Sequence, residues 1–379
     1  MAIKKITTTE FLQLAETHPV LDVRSPLEYA QAHIPGAHNI SLFTDEEKKI
    51  VGTAYKQQSR ETAIKIGLDF FDVKMRSIVE DAERIVSSGQ LTVNKKNTAN
   101  RQPTENCILL HCWRGGMRSA GMAWVLDLYG FKVYTLAGGY KAYRNWVLEQ
   151  FDKEYKFKII GGYTGSGKTL LLHALKKEGN AIIDLERLAN HKGSALGGIG
   201  QEPQAGQEMF ENLLATKLAP CNQRSSTNDP RITINDQPPT ANYIYLEDES
   251  QRIGNLQIPM PLWNTMRKSP VLFLDIPFEE RLDYLTEEYS IHPKEKLVNA
   301  VIRIQKRLGG LETKNTINFL LEDDHKEAFR ILLKYYDKWY AKGLYNRENA
   351  DKLIHKIPAL KVDTDTNIKL IKQQSLHGV

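Results

Sequence analysis

Three cysteines in 379 residues, Cys107, Cys112 and Cys221, are too few for a disulfide framework and lack the spacing of a zinc ribbon. A reducing compartment is the expectation. No stretch reaches the roughly eighteen consecutive apolar residues of a membrane span, and Met-Ala-Ile-Lys-Lys leads into the helix-like Thr8 to Thr17 without the apolar core of a signal peptide. A cytoplasmic protein with no membrane partner is therefore expected. Charge of one sign is also scarce. The formal net charge of +5 is compatible with a polyanionic partner but too small to identify one. The 41% hydrophobic and 26% charged content is that of a globular protein, and the length allows two domains with separate cores.

What the sequence does hold is a pair of phosphate-sized loops about fifty residues apart: Cys112-Trp-Arg-Gly-Gly-Met-Arg-Ser119 and Gly162-Tyr-Thr-Gly-Ser-Gly-Lys-Thr169. The first follows the buried-strand pattern Cys107 to His111 and precedes a helical stretch, Ser119 to Leu128. A loop that winds back after a strand turns successive N–H groups inward, which stabilises a thiolate and any oxyanion beside it. Arg114 and Arg118 add positive charge, Gly115 and Gly116 permit the positive backbone angles of a tight ring, and Ser119 is read as a cap on the next helix. The spacing His-Cys-x5-Arg-Ser is that of cysteine phosphatases, in which arginine forks onto phosphate oxygens.

The second loop matches G-x-x-x-x-G-K-[ST] and has the strand-to-helix context that motif requires, with Phe157 to Gly161 before it and Leu170 to Lys177 after. Gly162, Gly165 and Gly167 let the backbone approach an anion, Lys168 meets its terminal oxygens, and Thr169 can ligate Mg²⁺ where a ligand brings it. The motif does not choose between pyrophosphate-bearing ligands. Strand-end carboxylates Asp184, Glu247, Asp248 and Asp275 are candidates for a metal partner or plain caps and salt bridges. Leu274 to Leu282 resembles the strand and following helix of small-molecule kinases, where an arginine meets phosphates, but Arg281 itself reads better as a surface arginine. Arg187, His191 and Lys192 form a basic cluster, either solvated or facing a polyanion, and Trp113 is either a stacking surface or core packing.

The expected fold class is α/β. Leu21 to Ala30 and His33 to Ile40 read as a strand, a turn and a second strand; Asp45 to Ser88 as two or three helices broken near Gly67; Phe131 to Leu136 as a strand; and Tyr140 to Phe151 as a helix closing a domain over residues 1–151. Asp152 to Tyr155 is the linker. In the domain over residues 156–379, Ala181 to Asp184, Tyr243 to Glu247 and Val271 to Asp275 read as further parallel strands, and the last hundred residues as helical, Ala328 to Trp339 most clearly. Thr92 to Asn106 and Cys221 to Thr240 are polar segments read as unstructured insertions.

With Asp22-Val-Arg and His33-Ile-Pro-Gly-Ala37, the stretch from Ala2 to Gln150 resembles the rhodanese family of sulfur-carrying domains, which implies a chalcogen-carrying role for Cys112. The cysteine loop is one residue longer than the usual sulfurtransferase loop and resembles that of rhodanese-like phosphatases, implying room for a tetrahedral anion. Such a domain fused ahead of a phosphate-loop domain, together with Leu185 to Ala195, Gly197-Gly198 and Glu247-Asp-Glu-Ser-Gln-Arg-Ile-Gly254, resembles the tRNA 2-selenouridine synthase family over nearly the whole chain. That family implies an N-terminal rhodanese-like domain, then a P-loop NTPase-like parallel-sheet domain with a helical C-terminal region. It implies replacement of the 2-thio sulfur of a wobble uridine in the tRNA anticodon loop by selenium from selenophosphate, through a geranylated thiouridine. Cys112, Arg114 and Arg118 would then handle selenium, while Gly162, Gly165, Gly167, Lys168 and Thr169 would hold geranyl diphosphate. No tightly bound cofactor, dedicated metal site or DNA partner is implied. The competing reading is a cysteine phosphatase or nucleotide-regulated sulfurtransferase acting on a small molecule.

Overall fold

The computed structural model describes residues 3–88, 106–226 and 243–376. The chain divides into two compact units, Met1–Gln150 and Phe151–Val379.

The first unit runs β1 (Lys4–Ile6), α1 (Thr8–Leu14), β2 (Val20–Asp22), α2 (Pro26–Gln31), β3 (His38–Asn39), α3 (Asp45–Gln57), α4 (Arg60–Asp72), α5 (Met75–Ser87), β4 (Cys107–His111), α6 (Met117–Tyr129), β5 (Lys132–Leu136) and α7 (Gly139–Phe151). All pairings in its sheet are parallel, in the order β1-β5-β4-β2-β3. Every residue of β4 is buried, as expected of a central parallel strand covered on both faces. Leu21, Ile108, Leu110 and Val133 of the sheet pack with Met122 and Leu126 of α6 and with Phe71, Ile78 and Ala82 of α4 and α5.

Two readings of this unit need correction. A helix, α2, stands where a simple turn was expected; Ser25 and Glu28 form a capping box around Pro26 at the first helical position. The break near Gly67 is absent. Gly67 lies inside α4, and the interruptions fall at Gln58 and at Val73-Lys74. A Cβ at residue 67 would stand 3.3 Å from the Phe43 ring, so the glycine serves close packing rather than chain reversal.

The second unit runs β6 (Phe157–Gly162), α8 (Lys168–Lys177), β7 (Ala181–Ile183), α9 (Leu185–Ala189), α10 (Gln207–Ser226), β8 (Ile244–Glu247), β9 (Arg252–Ile253), β10 (Leu256–Gln257), α11 (Met260–Arg267), β11 (Val271–Asp275), α12 (Phe278–Tyr289), α13 (Lys294–Leu308), α14 (Gly310–Leu321), α15 (His325–Tyr345), α16 (Ala350–Leu353), β12 (Ile354–Pro358) and α17 (Thr364–Leu376). Its main sheet is parallel in the order β12-β11-β6-β8-β7, with β6 at the centre. One core joins Ile160, Leu272 and Leu274 of the sheet to Leu171, Leu172 and Leu175 of α8 and to Ile368 and Ile371 of α17. A second is helical, built from Leu282, Leu285, Leu297, Val301, Leu320, Phe329 and Leu332.

The C-terminal hundred residues are not helical throughout, since β12 adds an edge strand beside β11. The segment 221–240 is also not uniformly irregular: α10 carries through Pro220 to Ser226. Residues 227–240, like Thr92 to Glu105, lie outside the described residues.

Candidate functional site

Both loops leave the carboxyl end of a strand flanked on each side by neighbours in the sheet, which is where open parallel sheets hold ligands. In the first unit β4 delivers Cys112, which is 3% exposed. The loop folds back on the start of α7: Tyr140 N–H donates to the Cys112 carbonyl at 2.8 Å, and Lys141 N–H to that of Trp113 at 3.0 Å. Gly115 has φ 63°, and a Cβ there would stand 2.6 Å from the Leu136 carbonyl oxygen, so no other residue fits without displacing backbone. Gly116 differs from expectation. Its φ of −105° lies outside the left-handed region.

Ser119 is not the helix cap; Gly116 holds that position, and Ser119 lies in the first turn of α6. Its hydroxyl instead lies 3.2 Å from Cys112 Sγ and donates to the Gly116 carbonyl at 3.0 Å. Burial pushes the Cys112 thiol up, but the Ser119 hydroxyl, the Gly116 and Ser119 backbone and the Arg118 charge outweigh it and hold the thiol below its ordinary value. A hydroxyl has one proton to donate. Once Cys112 ionises, that proton gains most by turning to the thiolate, because hydrogen bonds to charged groups are the strong ones. Ser119→Ala should therefore move the alkylation of Cys112 by iodoacetamide, followed by mass spectrometry against pH, to higher pH; an unmoved profile would show that Ser119 does not stabilise the thiolate.

Arg118 donates to Glu28 at 2.7 Å. Burial pushes the Glu28 carboxyl up, but the Arg118 hydrogen bond and charge, the Ser25 backbone and Lys48 bring it down to about 2. Glu28 thus fixes Arg118 at the rim of the loop. Arg114 is exposed. Trp113 is 38% exposed, with its ring 5.8 Å from that of Tyr140. Beneath the loop, Arg24 forks onto Asp22 with contacts of 2.6 to 3.0 Å and lies 3.8 Å over the Tyr140 ring. The pair is buried at 1% and 0% exposure, and removing one partner from such a pair typically costs about 3–5 kcal/mol. Asp22-Val-Arg is therefore a floor under the cysteine loop rather than part of its chemistry.

In the second unit, Gly162 ends β6 and Gly167 caps α8. Gly165 has φ 81°, and a Cβ there would stand 2.8 Å from both the Arg281 carbonyl oxygen and Leu285. Lys168 Nζ donates to the Gly162 carbonyl at 3.0 Å, and the Thr169 hydroxyl to Glu186 at 3.0 Å. Ser166 Oγ is buried and has no hydrogen-bond partner among the described residues, a polar atom suited to a bound oxygen.

Arg281 is no surface residue. It is 3% exposed, forks onto Asp337 at 2.9 and 2.8 Å, and donates to the Thr164 carbonyl at 3.1 Å. Tyr340 holds the other side of the loop: its oxygen accepts from Gly162 N–H at 3.1 Å, and its hydroxyl donates to Asp248 at 2.7 Å. Asp248 is also paired with the buried Arg347. The strand-end carboxylates are thus largely occupied. Asp184 caps α9 and meets His173 at 2.7 Å, Glu247 is buried and accepts from Leu185 N–H, and Asp275 is exposed. The carboxylate at Thr169 is instead Glu186, with Glu249 hydrogen-bonded to it. Burial and the Glu186 charge push Glu249 well above the usual carboxylate range. In the basic cluster, Lys192 is paired with Glu288, while Arg187 is exposed.

Sequence reasoning missed Tyr340, Asp337 and Glu186. Tyr340 and Asp337 were hidden within the inward stripe of α15, where polar tips look like ordinary amphipathic packing. Glu186 had a weak signal, three residues past the end of β7.

The sequence pattern of the family described as "tRNA 2-selenouridine synthase AAA domain" matches residues 155–359, and that of the "Rhodanese-like domain" matches residues 7–145. A curated protein from Hydrogenovibrio crunogenus named tRNA 2-selenouridine synthase is 33% identical over 85% of this chain and 88% of its own length. One of the same name from a Sulfurovum species is 34% identical over 85% and 87%, and one from Bdellovibrio bacteriovorus is 29% identical over 94% and 100%.

Proposed function

The chain belongs to the tRNA 2-selenouridine synthase family, and from that membership we propose a division of labour between its two anion-binding loops. The enzyme replaces the 2-thio sulfur of a wobble uridine by selenium. Selenophosphate, a tetrahedral anion, is handled at Cys112 with Arg118 and Arg114 at the rim. Geranyl diphosphate is held at the second loop, with its diphosphate on Lys168 and the backbone between Gly162 and Gly167. The 2-thio sulfur attacks the prenyl carbon and diphosphate departs, giving a thioether; the selenium of selenophosphate then displaces geranylthiol at C2 and loses its phosphoryl group to water, so the prenyl step prepares the base for selenium.

The observation that carries this reading is the contrast between the loops. One has a cysteine whose thiolate is stabilised and no lysine; the other has a lysine and a threonine at a helix start and no cysteine. The first is built to react and the second to hold. A Mg²⁺ arriving with the diphosphate would meet the Thr169 hydroxyl and Glu186 carboxylate, the hard oxygen donors it takes. The base itself reaches both loops as an unstacked nucleotide of the anticodon loop, the form in which single-stranded RNA is read.

Nucleoside mass spectrometry of tRNA from cells lacking the protein tests the overall activity. We expect 2-selenouridine to vanish; its persistence at the normal level would refute the assignment.

A further inference from the structure

We infer that the outward face of α15 is a tRNA-binding surface, an assignment that rests on the proposed function for the identity of its polyanion. The helix separates cleanly into two faces. Phe329, Leu332, Leu333 and Leu344 are buried, and on the same side Tyr340 accepts from the phosphate loop and Asp337 pairs with Arg281. The opposite arc carries Lys334, Lys338 and Lys342 at intervals of four, with Tyr335 and Trp339 as a parallel aromatic row.

The charges along this helix are handled in two different ways. In its first half the cations are compensated: Lys326 is paired with Asp283, and Arg330 with Glu279 and Glu327. In its second half Lys334, Lys338 and Lys342 are exposed, and none has a carboxylate partner among the described residues. Asp337, the only carboxylate between residues 328 and 345, is turned inward to Arg281. Beside these cations Trp339 is 46% exposed, its ring 6.4 Å from Tyr335 and under Lys342 Nζ at 5.3 Å. The tryptophan therefore offers an exposed stacking surface next to unpaired cations. Uncompensated lysines that track a backbone, interleaved with aromatics on which a base can stack, are what single-stranded RNA requires.

The position of the face fits the same partner. Beyond the helix end, the exposed Lys356 of β12 lies 5.9 Å over the ring of the exposed Tyr345. The basic face thus continues past the helix onto β12. Since a helix is roughly 10–12 Å across with its side chains, RNA held on the outer face lies about one helix width from the group that Tyr340 holds on the inner one.

The test uses the full chain and a fluorescently labelled tRNA transcript with uridine at the wobble position, titrated over a series of KCl concentrations. Charge reversal at Lys334→Glu, Lys338→Glu and Lys342→Glu together should weaken binding by about tenfold or more and lower the salt slope by about two, the counterions of three contacts to a single strand. The Gln triple variant, which keeps helix propensity, should lose the same slope with a smaller loss of affinity. Trp339→Ala should weaken binding about fivefold or more with the slope retained, because stacking releases no counterions. Unchanged affinity and slope in both triple variants would overturn the assignment. Geranyl diphosphate binding by the same proteins separates the two ideas: wild-type chain that binds tRNA but ignores geranyl diphosphate would sink the reading of the phosphate loop and leave the α15 face standing.

Discussion

Replacing Lys168 by Ala should weaken geranyl diphosphate binding by about 10- to 100-fold, as measured by calorimetry on otherwise folded protein. The size follows from what is lost. Hydrogen bonds involving a charged group contribute about 1.5–3 kcal/mol, and each 1.4 kcal/mol is a factor of ten in affinity. Lys168 stands at the first position of α8 and donates to the Gly162 carbonyl of its own loop, so it is already folded back over the cradle. Removing it leaves the loop geometry intact, because Arg281 holds the Thr164 carbonyl and Tyr340 holds the Gly162 N–H. The effect should therefore be confined to binding, with the thermal stability close to wild type. Equal affinity in the two proteins would refute the placement of the diphosphate.

The second large effect is at Cys112. Cys112→Ser should reduce selenium incorporation to background, a loss on the order of 10⁴-fold or more, the scale set by removing a reacting nucleophile. The substitution is nearly isosteric, and the serine sits against the Ser119 hydroxyl as the thiol did, so folding should be unaffected. What disappears is the anion: a serine hydroxyl at this site has no means to ionise near neutral pH, whereas the Cys112 thiol is held below its ordinary value. Geranyl transfer should continue, since the diphosphate is proposed to sit on the other loop, of which Cys112 is not a part. Residual selenium incorporation within tenfold of wild type would show that Cys112 is not the reacting group.

The fold was legible where burial leaves a continuous apolar record. Cys107 to His111, Phe157 to Gly161 and Val271 to Leu274 are covered on both faces, and each reads as a strand from its residues alone. β12 was illegible for the converse reason. Ile354-His-Lys-Ile-Pro358 is a half-exposed edge strand beside one neighbour, and its few apolar residues stand among helical segments. Both loops were legible because backbone chemistry requires glycine, cysteine, lysine and arginine at fixed spacing. Their supports were not. Arg281 meets Asp337 across 56 residues, Tyr340 meets Gly162 across 178, and Glu28 meets Arg118 across 90. No local pattern encodes such pairs; they exist only after the sheet and helices have brought distant segments together. Ser119 shows a subtler failure, in which a residue of the right type for a helix cap serves the thiolate at the start of the loop.

In the proposed reaction one base visits two stations in order, the prenyl station first. The most direct test of that order is the nucleoside content of 2-thiouridine-bearing tRNA incubated with the Cys112→Ser protein, geranyl diphosphate and selenophosphate. S-geranyl-2-thiouridine should accumulate with no 2-selenouridine formed; unaltered 2-thiouridine as the only product would refute that order.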